Sequence, residues 1–403
     1  MQGEDLKRED KNIKLLLIDP GGEGGCCQYV YSLGQMLSQK GIDVTLLTSS
    51  DYELQHLPHH FKFNKDVRWM RGSKCNKFVR TIKLNSFLNV IFFIYAITKY
   101  FFQILKGKYN IVHYHGIYVP ILTAYAFFLL KLSKVPLVFT PHNVKPRKEF
   151  SGWFAQYKYI FKKADMIYFH SEKAKNEAVE LYKLPSEKIC VIPMGNYDFL
   201  LDLDNVKTKS DARKLLRIND DSKVILFFGY IRPDKGLAYL IKAMSDVVKI
   251  FPDTILLVAG KDMGYTEKYK DLVHRLNIKK NVIFDLRYIP INEVGRYFLT
   301  SDIVVVPYTF LEQSAIVQTA YSFSKPVIAT DIAGLPEVVK NGETGFLVKP
   351  KDSESLSGVI IKVFSDNNLL EKLSQNAKEF SIIHSSWDTI AENIIDDYQK
   401  VLR

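Results

Sequence analysis

Cysteine is scarce in this 403-residue chain: four residues, Cys26, Cys27, Cys75 and Cys190, with no C-x-x-C pair and no histidine at zinc spacing beside them. That excludes a disulfide scaffold and a Cys/His zinc module, and it suits a reducing compartment. Cys26 and Cys27 are adjacent, and disulfide geometry strains across a single peptide bond, so they do not suggest a redox pair. Residues 1–12 are polar and mixed in charge, without the basic start and apolar core of a secretory leader, so a cytoplasmic location is expected. No G-K-[ST] follows any glycine loop, no internal repeat of 20–50 residues recurs, and no tract is of low complexity. Acidic residues are also short, 44 against 55 Lys and Arg, for a net charge of +11. The deficit is local. Residues 1–200 hold 28 basic and 17 acidic residues, whereas 201–403 hold 27 of each. Between Lys62 and Lys108 there are eleven Lys or Arg and one acid, Asp66, an asymmetry that calls for a negatively charged partner.

What is abundant is short apolar runs. In the first half they fall at 13–18, 43–48, 110–114, 136–140, 165–169 and 188–192. In the second they fall at 223–228, 254–259, 281–284, 302–306, 326–329 and 345–348. Continuous Val/Ile/Leu runs of strand length, alternating with helical patterns, predict parallel sheets buried on both faces. Two such series predict two doubly wound, Rossmann-like α/β domains. The expected division is 1–200, 201–385 and a terminal helix over 386–403, with the junction in the polar, charge-rich stretch around 198–222. Ligands of such sheets bind at strand carboxyl ends, so the substrate is expected in a cleft faced by both domains.

The strand-end loops are therefore where chemistry is sought. "DPGGEGGCC" follows the first strand, with four glycines in five positions, Gly21 to Gly25. Gly22 and Gly24 fit the start of G-x-G-x-x-G, but Cys27 stands where the last glycine would be. Two readings remain, a tight strand-to-helix turn or a cradle of backbone N–H groups for an anion before a helix starting near Cys26. After 223–228 comes "GYIRPDKG": Gly229 permits a turn, and Arg232 and Lys235 set two cations before a helix, a pattern that suits a diphosphate. After 302–306, Glu312, Gln313 and Ser314 precede a helix of small residues. His142, in "TPHN", follows 136–140.

Taken together these stretches resemble glycosyltransferase family 4, retaining enzymes of the GT-B fold. The pieces are "GGEGG", "TPHN", "ADMIYFHSEKAKNEAVELY", "KICVIPMGNYDF", "GYIRPDKGLAYLIKAM", "SKPVIATDIAGLPEVVKNGETGFLVKPKD" and "SSWDTIAENIIDDY". They cover nearly the whole chain in order. The resemblance implies a nucleotide-sugar donor held mainly by the second domain, an acceptor held mainly by the first, and a last helix crossing back to the first. It matches Gly24 and Gly25 to the glycine loop near the donor phosphates, His142 to the histidine beside the transferred sugar, and Lys235 to the phosphate-binding lysine. The family's arginine directly follows the loop glycine. Here that place is Tyr230, with Arg232 two positions on. The family often carries two glutamates eight residues apart. Aligned on "KPVIAT", those places are Leu311 and Thr319, and Glu312 lies one position late. "DLD" at 202–204 matches by letter the metal motif of the other major glycosyltransferase fold and is read as chance, so neither a cofactor nor an obligatory metal is expected.

The basic half bears on the acceptor. Plotted at about 100° per residue, "KCNKFVRTIK" separates Lys74, Lys77, Arg80 and Lys83 from Cys75, Phe78, Val79 and Ile82. Such a helix suits either an anionic membrane surface or a solvated face of its own domain. The run 86–105 has about the length of a membrane span, yet Asn89, Lys99 and Gln103 interrupt it, and a span would part strands that share a sheet. The expected function is retaining transfer of a hexose to a lipid-linked or cell-surface glycan intermediate, at the inner face of the membrane. Alternatives are a non-catalytic nucleotide-sugar-binding relative and a sugar-nucleotide epimerase, which would leave the basic patch without a role. Nucleic acid is not expected as a partner, because no recognition motif accompanies the charge.

Overall fold

The computed structural model describes residues 12–67, 84–146, 151–310 and 314–403. The amphipathic stretch with Lys74, Lys77, Arg80 and Lys83 lies outside these residues, as do Leu311, Glu312 and Gln313. The chain forms two compact units. The first comprises residues up to Phe169, Glu177–Val191 and Trp387–Arg403, and the second His170–Asn176 and Ile192–Ser386.

The first unit opens with β1 (Lys14–Asp19), α1 (Gly24–Gln39), β2 (Asp43–Ser49) and β3 (Lys62–Val67). It continues with α2 (Leu84–Leu105), β4 (Ile111–His115), α3 (Pro120–Leu132), β5 (Leu137–Thr140), α4 (Ser151–Lys163) and β6 (Met166–Phe169). Helix α5 (Glu172–Tyr182) precedes β7 (Ile189–Val191). The seven strands run parallel in the order β3-β2-β1-β4-β5-β6-β7. Every residue of β4, β5 and β6 is buried, which is why these strands read as unbroken apolar runs. β3 is an addition to the strands expected from the apolar runs. Its sequence, KFNKDV, is charged and only partly buried, as an edge strand tolerates.

The second unit follows with α6 (Lys209–Leu216), β8 (Val224–Phe228), α7 (Leu237–Ile250), β9 (Ile255–Ala259), α8 (Thr266–Arg275) and β10 (Val282–Asp285). Then come α9 (Val294–Thr300), β11 (Ile303–Val306), α10 (Ala315–Ser322), β12 (Val327–Thr330), α11 (Leu335–Val338) and β13 (Gly345–Val348). Helices α12 (Ser353–Ser365) and α13 (Asn367–His384) complete it. Its six parallel strands are ordered β10-β9-β8-β11-β12-β13. Alternate strand residues feed two cores, Ile225 and Phe227 on one face and Val224 and Leu226 on the other.

The last helix, α14 (Trp387–Val401), belongs to the first unit. It packs on α1, where Lys40 reaches Asp388 and Glu392, and Tyr398 is hydrogen-bonded to His113 at 2.7 Å. Among the described residues no helix is long and apolar enough to cross a membrane, α2 included.

Candidate functional site

Strand order reverses between β1 and β4 in the first sheet and between β8 and β11 in the second. Such switch points open a crevice at the strand carboxyl ends. Both glycine loops singled out in the sequence lie there.

In the first unit β1 ends in Asp19, buried beneath its own loop. Its carboxylate accepts from the N–H groups of Gly21 (3.2 Å) and Gly22 (3.3 Å) and from the Tyr118 hydroxyl (2.7 Å). Burial raises the Asp19 pKa, and these donors oppose the rise. The turn leaves no room for side chains: a Cβ on Gly21 would lie 2.3 Å from the Tyr118 oxygen, and one on Gly22 2.6 Å from Ser49 Cβ. Helix α1 begins at Gly24, two residues before Cys26, and the Gly24 N–H donates to Glu53 Oε2 at 2.9 Å. Of the anion cradle expected here, the donors at 21, 22 and 24 are thus already bonded to carboxylates. Gly24 keeps a positive φ of 70° and faces open space, and Gly25 follows it in the first turn. Burial, reinforced by the Asp19 charge, pushes the Cys26 and Cys27 thiols well above the usual cysteine range, so both stay protonated and unreactive.

His142, just beyond β5, has a φ of 57°, in the left-handed region that a non-glycine residue enters at some cost. Its ring meets Tyr29 edge-on at 5.4 Å and lies 5.9 Å from that of His115. The His115 ring lies 4.1 Å from that of His113, tilted by 32°, and His113 Nε2 pairs with Thr140 Oγ1 at 2.8 Å. Tyr29 rests in turn on Trp387 of α14, 5.2 Å away. The half-buried His142 therefore caps an aromatic cluster that extends to Trp387 of the terminal helix.

In the second unit Gly229 (φ 116°) follows β8, and Arg232 leads into a single 3-10 turn, Pro233–Lys235, before α7. Arg232 Nη2 pairs with Asp234 Oδ2 at 2.7 Å, while its buried Nε has no acceptor among the described residues. Lys235 Nζ lies 3.8 Å from the centroid of the Tyr308 ring, a cation–π contact. The Tyr308 hydroxyl is 3.1 Å from Ser314 Oγ, at the N-cap of α10. The Thr309 N–H donates to the Asp234 carbonyl at 2.9 Å, stapling the β8 and β11 loops together. Gly236 (φ 71°) makes this closeness possible, since a Cβ there would fall 1.7 Å from the Pro307 carbonyl oxygen. A guanidinium and an ammonium group, a spare buried N–H and a helix N-terminus thus gather at one switch point, a constellation fit for an anion.

The structure brings Arg232, Lys235, Gly229 and Ser314 together in the second unit, and Gly24, Gly25 and His142 at the strand ends of the first. Sequence reasoning missed Asp19, Tyr118, Tyr29 and Tyr308. Tyr308 stands two residues past a strand, a position that could have flagged it; the others meet only through the fold. Thr319, at a place where the family often has glutamate, turns its Oγ1 back onto the Ala315 carbonyl at 3.0 Å. Asp204 of "DLD" is buried against Arg296, with Nε–Oδ2 at 2.9 Å, and its pKa is lowered because that guanidinium and the Val206 N–H outweigh the opposing burial.

Residues 208–380 match the family described as glycosyl transferases group 1, and residues 23–195 match glycosyltransferase family 4. The chain belongs to glycosyltransferase family 4. An uncharacterized family member of Methanocaldococcus jannaschii is 27% identical over 57% of this chain and 58% of its own length, so that match leaves much of both proteins aside. The D-inositol 3-phosphate glycosyltransferase of Nocardia farcinica is 24% identical over 95% of this chain and 86% of its own. Among solved structures, sucrose-phosphate synthase from Thermosynechococcus elongatus superposes with a TM-score of 0.75 at 22% identity, covering 96% of this chain and 99% of that one. HepE of Anabaena, crystallised with UDP and glucose, gives 0.75 at 18%, covering 96% and 99%. These glycosyltransferase structures share the GT-B fold of two parallel-sheet domains, as this family-4 chain does.

Proposed function

We propose that this glycosyltransferase moves a hexose from a nucleoside-diphosphate sugar to an acceptor with retention at the anomeric carbon. The observation that carries the reading is the Arg232–Lys235 cation pair at the switch point of the second sheet, next to the α10 N-terminus. As the bond from the anomeric carbon to the diphosphate oxygen breaks, negative charge grows on that oxygen. Fixed cations and N–H groups aimed there lower the barrier. The Arg232 Nε without an acceptor and the Lys235 ammonium are assigned to the diphosphate. Gly229, Glu312, Gln313 and Ser314 are assigned to the rest of the donor. His142 is assigned to the transferred sugar, and Gly24 and Gly25 to approach of the phosphates. The acceptor hydroxyl attacks from the leaving-group face, its proton passing to the departing phosphate oxygen, because no side chain stands out as a covalent nucleophile. The Anabaena structures with UDP and with UDP-glucose support a nucleotide-sugar donor.

The acceptor is assigned as a lipid-linked or cell-surface glycan intermediate reached at the inner membrane face. The support is the excess of 28 basic over 17 acidic residues in 1–200. No metal is required in this scheme, since the two side-chain cations supply the charge. The test is a thermal-shift screen of nucleoside diphosphates and their sugars, followed by NMR of the product formed with the donor so identified. Retained anomeric configuration is expected, and an inverted product overturns the reading. A second reading, donor binding without turnover, draws on the inward-bonded Thr319 hydroxyl; release of free sugar or product from a stabilising donor eliminates it.

A further inference from the structure

The described residues expose 19 large apolar side chains, and ten of them lie on α2, α3 and α4. On α2 they are Ile91, Ile94, Tyr95, Phe102 and Leu105. At about 100° per residue all five fall within an arc of roughly 100°, a single stripe. The opposite arc, Phe93, Ala96, Ile97, Tyr100 and Ile104, is buried. A helix this apolar is normally buried on most of its faces, and among the described residues nothing covers this stripe. Helix α3 repeats the arrangement: Ile121, Phe128 and Leu132 stand out while Ala126, Phe127 and Leu130 point inward. α2 packs beside α3, and α3 beside α4. Right-handed crossovers from β3 to β4, β4 to β5 and β5 to β6 put all three on one side of the sheet, so the stripes share a surface.

Charge selects the occupant. The three helices contain five lysines and no Asp or Glu; Lys99 and Lys131 are ion-paired with Asp66 and Asp165, each at 2.8 Å, which leaves Lys158, Lys162 and Lys163 of α4 as the exposed basic rim. Lys106 and Lys108 add two exposed cations just past α2. Pairing with a second copy about a two-fold axis would set basic rim against basic rim. A bilayer with anionic headgroups answers both features, taking the apolar stripes into its interface and the lysines at its surface. Tyr95, 63% exposed, and Trp153, 39% exposed, are the amphipathic aromatics that favour that depth.

We infer that the outer face of α2 and α3, rimmed by the lysines of α4 and the end of α2, docks in the plane of an anionic lipid bilayer. This deepens the membrane part of the reading above and rests on it, while adding an apolar anchor to the basic attraction.

The experiment is co-sedimentation of the full chain with phosphatidylcholine vesicles containing about one third phosphatidylglycerol. It compares wild type with the triple variant Tyr95→Asn, Phe102→Asn, Phe128→Asn. These side chains are exposed, and an unchanged melting temperature verifies folding. Wild type is expected to bind the anionic vesicles, to bind neutral ones poorly, and to keep part of its binding at about 1 M salt, where electrostatic attraction is screened. The variant is expected to bind at least tenfold more weakly. Wild-type binding by the variant, or complete release of wild type by salt, overturns the inference. So does a wild-type dimer in light scattering that the triple variant splits, which would give this face to a second copy. Stabilisation by nucleoside diphosphates is read in the same preparations. Its loss with vesicle binding intact would count against the donor assignment and leave the docking surface standing.

Discussion

Replacing Gly236 by alanine tests the geometry that joins the two loops of the second unit. Two costs add. The backbone there has a φ of 71°, and the left-handed region costs an L-residue with a Cβ roughly 1–2 kcal/mol. The new Cβ would also sit 1.7 Å from the Pro307 oxygen, less than any non-bonded contact, so one loop must move by more than about 1 Å. Overpacking of this kind adds roughly 1–3 kcal/mol, for a total of about 3 kcal/mol. In a folding unit near 200 residues that lowers the melting temperature by roughly 6–12 °C. The displaced segment carries Lys235 and the Asp234 carbonyl that binds Thr309, and a shift of about 1 Å at a charge-stabilising group costs on the order of 100-fold in turnover. Gly342→Ala is the control, because Gly342 also has a positive φ, 81°, but no atom within 4 Å of the place its Cβ would take, so it bears the dihedral cost alone. Melting curves and donor turnover of the two variants are to be compared. If Gly236→Ala melts with Gly342→Ala and keeps its turnover, the packing of the β8 and β11 loops does not organise the site.

Arg232→Ala and Lys235→Ala should each lower kcat, together by several kcal/mol of transition-state stabilisation, whereas His142→Ala should lower kcat while leaving nucleoside-diphosphate binding by thermal shift nearly intact. Asp204→Ala removes two charge-assisted hydrogen bonds from Arg296, which keeps Glu293 at 3.4 Å, and should reduce stability by about 2 kcal/mol in a denaturant titration, while treatment of wild type with EDTA leaves turnover unchanged; turnover abolished by EDTA and restored by a divalent ion would reassign "DLD". His170 is buried with its pKa pulled from 6.5 down to about 4, so the unfolded state binds more protons between those values and stability falls as pH drops through that window. The loss should approach 3 kcal/mol, at about 1.4 kcal/mol per pH unit, and His170→Gln should flatten the pH dependence of unfolding.

The sheets are legible in the sequence because their strands are buried on both faces, and burial writes itself as unbroken apolar runs. The run at 302–306 is β11, Ile303–Val306, with all four residues buried. β3 escapes because an edge strand has no such requirement: Lys62 and Lys65 are exposed, Phe63, Asn64 and Asp66 are only partly covered, and of the six residues Val67 alone is buried. Helix α1 starts earlier than its sequence suggests, because glycine is a poor helix former. Yet Gly24 and Gly25 sit in the first turn, where backbone N–H groups need outside acceptors and Glu53 provides one. Arg232, Lys235 and Gly236 can be read from spacing, since they crowd one loop at a strand end. Their supports cannot. Tyr308 reaches Lys235, and Tyr118 reaches Asp19, only after the order β8-β11 and β1-β4 makes distant strands neighbours. The same limit applies to α2. Hydropathy marks 86–105 as apolar but for a few positions such as Asn89, Lys99 and Gln103, and no count of residues says which half is covered. Packing on the sheet divides it, sending Phe93, Ile97 and Tyr100 inward and leaving Tyr95 and Phe102 at the surface. A sequence can therefore reveal that a segment has more apolar surface than one core needs, but only the fold shows which part is left over, and it is the leftover part that looks for a partner.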